Sequence, residues 1–250
     1  METHLADLAG EGSPSGHRTL AEKAFEVLHR AIIAGRLPPG ARLPIEDLAE
    51  VLNMSPMPIR EAVRRLDAAG LVENIPHRGA RVTGLSVVDL AEVYEVRLSL
   101  EPMAVRRAAE RFTPADEERS RRRLAELDAA SDDSSSATFE AHEEFHFALY
   151  DTAGSTWLLR TIRPVWETSE RYCLALPESR QHKSRAGEHQ AILDACAARD
   201  GDRAARCLHA HLATTANNLA ARMGHEPLYE VTWETARRPR GRQRPAQRPR

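Results

Sequence analysis

The chain has 250 residues and a formal net charge of -2 at neutral pH, length enough for one large domain or two modest ones. Hydrophobic residues (42%) supply real cores, and 29% charged with 5% aromatic residues suits a soluble helical protein. No apolar run approaches the ~18 residues that span a bilayer. The start lacks the basic-then-apolar order of a secretory leader, and three cysteines without a C-x-x-C argue against a disulfide framework and for a cytoplasmic setting.

Residues 1–17, rich in Gly, Ser and Ala, read as a disordered N-terminal arm. From there the chain divides at about residue 84. Residues 18–84 carry three short helical patterns and a Gly-punctuated extended stretch; residues 85–224 are almost all long helical patterns. Residues 225–250 read as a basic disordered tail ending in RRPRGRQRPAQRPR, either a solvated end or a weak, non-specific attraction to nucleic acid.

Leu20, Ala24, Val27, Leu28 and Ile32 place one apolar stripe on a first helix, stopped at Gly35 and followed by the turn Pro38-Pro39-Gly40. A second short helix follows Pro44 with Ile45, Leu48, Ala49 and Leu52, capped at Asn53. The third has Ser55 as N-cap and Pro56 at its first position, where a missing N–H costs nothing. Ile59, Val63 and Leu66 face inward, and Gly70 ends the helix. LVENI and GARVTG then form a hairpin whose turn contains Pro76, His77, Arg78 and Gly79.

Three helices and a hairpin in this order predict a winged helix-turn-helix. Its third helix fits the major groove, and Met57, Arg60 and Arg64, spaced i, i+3, i+7, share the face opposite the aliphatic stripe. Alone, these arginines fit a solvated face equally well; the order of elements around them favours DNA. Ser55 at the helix start offers a phosphate seat. His77, Arg78 and Gly79 stand at the wing tip, Gly79 allowing close approach to the sugar-phosphate chain.

LHRAIIAGRLPPGARLPIEDLAEVLNMSPMPIREAVRRLDAAGLVENIPHRGARV resembles the DNA-binding domain of the GntR superfamily of bacterial regulators, a resemblance covering residues 20–83. It implies that Ser55, Arg60 and the wing around His77-Arg78-Gly79 touch DNA. With Arg36 and Arg42 of the AGRLPPGARL motif, Met57 and Arg64, these are the candidate DNA contacts. Many members carry Ser-Arg-Thr-Pro where this chain has Ser55-Pro56-Met57-Pro58. One expected arginine contact is thereby lost, and Met57 offers an apolar contact instead, for example to a thymine methyl.

His142 and His146 lie four apart in FEAHEEFHFALY, so both imidazoles share one helix face and can reach one ion. His189 lies on a later helix beside Ile192 and Leu193. His211 is preferred to His209 on the last helix, because Leu208, His211, Leu212 and Thr215 share its face. Four histidines from three helices form a candidate site for a divalent transition metal, zinc first, with nickel or another ion as alternatives.

Residues 85–222 resemble the FCD-type (FadR-like) ligand-binding domain of one GntR subgroup, through VYEVRLSLEPMAVRRAAER, FHFALYDTAGS and EHQAILDACAARDGDRAARCLHAHL. The resemblance implies a metal held by an Asp, a His four later and two further His on later helices, at the base of an effector pocket. His146, His189 and His211 match the three histidines; His142 stands at the Asp position. Exchanging carboxylate for imidazole leaves a bound dication one charge more positive, which favours nitrogen-loving metals and an anionic effector. Organic acids are common effectors in this subgroup. Arg97 matches a family arginine pattern and is the candidate carboxylate anchor, with Glu101 one turn on to orient it. Thr215 and Asn218 follow His211 by four and seven residues and are candidates to line the same cavity. The alternative for Arg97 is a salt bridge with Glu101 or another acid.

The fold expectation is therefore mainly α: a winged helix-turn-helix followed by an all-helical antiparallel bundle. The functional expectation is a transcription regulator, chiefly a repressor, working as a homodimer on a palindromic operator in double-stranded DNA and released by a small carboxylate effector. No membrane partner is expected. Two other readings remain: a regulator whose effector is the metal itself, and a metallohydrolase, since His142-Glu143-Glu144-Phe145-His146 fits the spelling H-E-x-x-H. No substrate-binding edge strand accompanies that motif, and the winged helix has no role in such an enzyme.

Overall fold

The computed structural model describes residues 19–75, 78–130, 136–176 and 181–231; the side chains of residues 136 and 181–186 fall outside this description. The expected N-terminal arm and most of the tail lie outside it as well. Helix α1 (Leu20–Ile33) begins in a reciprocal cap: the Thr19 hydroxyl accepts from the Glu22 N–H and the Glu22 carboxylate accepts from the Thr19 N–H. Ala24, Val27, Leu28 and Ile32 are buried as expected. Leu20 is not part of that stripe. It is 54% exposed, because the first residue of the helix precedes the turn that meets the core.

Helices α2 (Ile45–Val51) and α3 (Pro56–Ala68) complete the trihelical unit, with Leu48, Ile59, Ala62 and Leu66 fully buried between them and α1. Asn53 takes a left-handed φ of 50° at the turn between α2 and α3, a conformation that Asn tolerates better than most residues. The wing is a three-stranded antiparallel sheet. Strand β1 (Arg42–Leu43) pairs with β3 (Gly79–Val82), which pairs with β2 (Val72–Ile75), in the order β1-β3-β2. Sequence periodicity supplied the hairpin but not β1, because two residues are too short to show alternation. Pro76 and His77, expected from sequence at the turn of the wing, lie outside the described residues.

A second core begins at α4 (Val87–Arg111), capped by the Ser86 hydroxyl. It packs against α9 (Gly201–Arg222), while α5 (Pro114–Ala130) pairs with α6 (Ser136–Tyr150). Helix α7 (Thr156–Ala175) lies on α4, and α8 (Gln181–Ala197) lies against α9 and α5. The two hydrophobic cores share no residue. Residues 225–231, read from sequence as the start of the tail, are tied down. Asn217 Oδ1 accepts from the Leu228 and Tyr229 N–H groups, and the Tyr229 hydroxyl donates to the Ala91 carbonyl at 2.8 Å.

Helices α1 and α7 bring the two halves into contact. His29 Nε2 of α1 lies 3.2 Å from Glu167 Oε2 of α7. The Tyr172 hydroxyl, also on α7, accepts from the Ser86 N–H at 3.3 Å and lies against Asp89, so α7 touches both the DNA-binding unit and the junction leading into α4.

Candidate functional site

On α3 the buried row Ile59, Ala62, Val63 and Leu66 turns the opposite row outward. Met57 is 75% exposed, and the Arg60 and Arg64 side chains are 61% and 76% exposed. Arg60 rests on Glu46 of α2 at 3.1 Å and Arg64 on Glu61 at 2.8 Å. Exposed pairs of this kind contribute little and give way readily to a phosphate. Ser55 occupies the N-cap position, but its side chain makes no capping bond, which leaves the hydroxyl outward at the helix start. Arg42 and Arg78 are exposed, Arg36 is half-buried, and Gly79 adopts a φ of 76°, which explains the glycine there. His77 lies outside the described residues. Sequence reasoning missed Arg81, paired across the sheet with Arg42 and Glu73, which adds a further cation to the wing.

In the helical domain, α6 supplies His142 and His146, α8 supplies His189 and α9 supplies His211. One ring nitrogen from each lies within 4.8 Å of all the others. His146, His189 and His211 are buried and His142 is half-buried, while His209 points outward as expected. His142 Nε2 and His146 Nε2 are 3.1 Å apart. Zinc–imidazole bonds of ~2.0–2.1 Å put tetrahedral ligand nitrogens roughly 3.3 Å apart, so the four rings fit a transition metal after small adjustments.

The surroundings reinforce that fit. His211 Nδ1 meets the Glu188 carboxylate at 2.7 Å, and His146 Nδ1 meets the Tyr150 hydroxyl at 3.2 Å. That hydroxyl donates to Glu101 at 2.7 Å. Partners on Nδ1 fix ring orientation and turn Nε2 toward the centre, the usual outer support of metal-binding histidines. Burial, followed by the neighbouring His189, His211 and Arg97, holds the His146 pKa well below the ordinary imidazole value. It is therefore a neutral donor at physiological pH.

Arg97 is buried beside this cluster. Its Nε and Nη2 donate to the two Glu101 oxygens, Nη1 donates to Ser169 at 2.6 Å, and the guanidinium lies over the Trp166 ring. Burial opposes its charge, but the Glu101 carboxylate outweighs burial and raises its pKa. The sequence alternative for Arg97, a pair with Glu101, is thus present within one helix. Thr215, near the histidines, donates its hydroxyl to the His211 carbonyl, and Asn218 is half-buried one turn beyond. Glu143, the base of the H-E-x-x-H reading, pairs with Arg163 of α7, and burial raises its pKa.

Tyr150, Trp166, Ser169 and Glu188 were not among the sequence candidates. Tyr150 follows His146 by four residues, so its position on the same face was readable. The other three meet their partners across helices, and spacing within one helix carries no sign of them.

Residues 20–82 match the family model "Bacterial regulatory proteins, gntR family" and residues 92–214 match the FCD domain. The chain is 32% identical over 203 residues to the HTH-type transcriptional regulator BphR of Paraburkholderia xenovorans, covering 78% of this chain and 83% of that protein. This chain belongs to the GntR family of bacterial regulators and carries an FCD domain. It is also 27% identical to the HTH-type transcriptional repressor GlaR of Escherichia coli, over 76% of this chain and 91% of that protein. Solved GntR structures agree. Escherichia coli McbR/YncC superposes with a TM-score of 0.68 at 26% identity, over 83% of this chain and 98% of that one. A GntR regulator from Rhodococcus sp. RHA1 gives 0.69 at 27%, over 80% and 97%. This GntR protein is a DNA-binding transcriptional regulator, and its relatives are regulators rather than enzymes. Among the described residues no helix is long and apolar enough to cross a membrane.

Proposed function

We propose that this GntR protein is a cytoplasmic, metal-containing repressor whose grip on a palindromic operator is released by a small carboxylate bound in the helical domain. The observation that carries the reading is the four-histidine cluster, whose donor atoms converge from three helices and whose outer nitrogens are held by Glu188 and Tyr150. His142, His146, His189 and His211 would hold the ion, zinc first, which would supply a positive centre attractive to a carboxylate. Arg97, Glu101, Thr215 and Asn218 stand around it as ligand-lining residues. Arg97 keeps its fork on Glu101, so its part is to fix Glu101 and Tyr150 and to add positive potential.

DNA contact falls to Ser55, Met57, Arg60 and Arg64 on α3, to Arg36 and Arg42 beside β1, and to His77, Arg78 and Gly79 of the wing. A palindrome requires two copies of α3, hence a homodimer. Val88, Val96 and Met103, exposed along α4, offer an apolar face for that pairing. One GntR relative, GlaR, is named a repressor, which supports the sign of regulation.

A second reading is favoured by the ligand count. Four imidazoles alone complete a tetrahedral zinc site and leave no open position. In that case the ion itself is the effector. Metal analysis followed by a thermal-shift screen of organic acids, with and without chelator, separates the two. The carboxylate reading expects one zinc per chain and an acid-dependent rise in melting temperature that chelator abolishes. A chain without bound metal after zinc loading would contradict both.

A further inference from the structure

Helix α7 places two charged residues side by side in the interior, Glu170 and Arg171. Glu170 Oε1 is buried without a hydrogen-bond partner. Burial, with the Glu143 carboxylate nearby, pushes its pKa up to about 8, so it sheds its charge by keeping a proton. Arg171, the next residue, brings a guanidinium, which carries donors and no acceptor. It is only 2% exposed, its Nε and Nη1 are buried without an acceptor, and no acid of the described residues pairs with it. The contrast with Arg97, saturated by Glu101 and Ser169, is direct. The Tyr172 ring, 5.8 Å from the Arg171 Cζ, offers a distant aromatic face but no acceptor; a buried cation without an anionic partner is costly, and the compensation open to it is an anion.

We propose that Arg171 is the receptor for a small oxyanion, a carboxylate or a phosphate, at the junction of α7 with the DNA-binding unit, separate from the histidine cluster. Arg171 follows Trp166, whose ring packs at a tilt against His142 and His146, by five residues, so the two side chains leave α7 about 140° apart. Arg171 instead shares its face with Glu167, one turn earlier, which reaches His29 of α1. Glu and Arg at this i, i+4 spacing ordinarily pair. Here Glu167 is engaged across the junction and Arg171 is left for another anion. The next residue, Tyr172, holds Ser86 at the entry to α4. An oxyanion on Arg171 therefore stands beside the His29–Glu167 contact that joins the halves and beside the Tyr172–Ser86 contact at the start of α4, and by occupying Arg171 it leaves Glu167 to His29. The planar guanidinium suits carboxylate and phosphate alike.

The test uses the full chain, zinc-loaded and chelator-treated, with inorganic phosphate and succinate compared with chloride at matched ionic strength. We expect phosphate or succinate to raise the melting temperature by several degrees in a saturable way in both metal states, as binding to the native state requires; which of the two acts separates the sources. R171Q should lose the shift, and R171K, which keeps the charge without the planar fork, should retain a weaker one. E73Q, on strand β2 of the wing and away from α7, should keep it in full. Three results would overturn the proposal: no oxyanion exceeding chloride, an undiminished shift in R171Q, or a shift that disappears on chelation. The last would assign the anion to the histidine cluster. If R171Q does not fold, R171K carries the decision: a shift equal to wild type there contradicts recognition by the guanidinium. Because the expected shift survives chelation, its failure is distinguishable from failure of the metal reading.

Discussion

Histidine at position 142 changes the charge of the cluster without changing its reach: its Nε2 lies 3.1 Å from that of His146. H146A or H189A should therefore lower bound zinc to a small fraction of one per chain, read by elemental analysis after dialysis. E188Q should weaken zinc binding by about 10–100-fold while leaving the site formed, since Glu188 acts through His211 Nδ1. The four clustered histidines were readable because i, i+4 spacing and shared apolar faces are properties of a helix by itself. Glu188, Ser169 and Trp166 were not, because their roles exist only once α7, α8 and α9 are packed. Glu170 adds a pH signature. Its folded pKa of about 8 lies above the ordinary carboxylate value of 4.5, so the folded chain binds more protons than the unfolded one between those limits. Its stabilising share is complete below 4.5 and is lost as pH rises toward 8. Chemical denaturation across this range should show a stability decline that E170Q flattens.

Helix α3 gives the DNA-binding reading its physical form. Its buried row forces Arg60 and Arg64 outward, and the pairs they make with Glu46 and Glu61 are exposed and exchangeable. Replacing Arg60 by Ala should cost about 1–3 kcal/mol of operator binding if it reads a base, or reduce the salt slope by about one if it meets a phosphate; fluorescence titration at several salt concentrations separates these. The three helices of this unit were legible because each carries a clear apolar stripe and a terminal signal. Strand β1 was hidden by its two-residue length, and the exposure of Leu20 by its place before the first buried turn. The anchoring of residues 225–231 was equally hidden, because it depends on Asn217 reaching forward to Leu228 and Tyr229.

At the scale of the whole molecule, two separate cores are joined through α7. Leu66→Ala should remove about 2–5 kcal/mol from the winged unit. We expect DNA binding to be lost in that variant while zinc binding by the helical core remains, measured on the same preparation. A ligand in the helical domain can act on DNA only by favouring one arrangement of the halves over another. Helix α7 is placed to carry that preference, with Trp166 and Ser169 facing the histidines and Arg97, Glu167 on His29, and Tyr172 on Ser86. H29A should therefore weaken the coupling between ligand and operator more than it weakens either binding alone.

The most direct measurement is an anisotropy titration of an operator duplex, selected from a random-sequence library, with zinc-loaded wild type and H146A. Each is titrated with and without the organic acid found by thermal shift. The acid should weaken operator binding at least tenfold in zinc-loaded wild type and leave H146A unaffected. An operator affinity indifferent to acid and to zinc in both proteins would contradict a regulator governed from its histidine cluster.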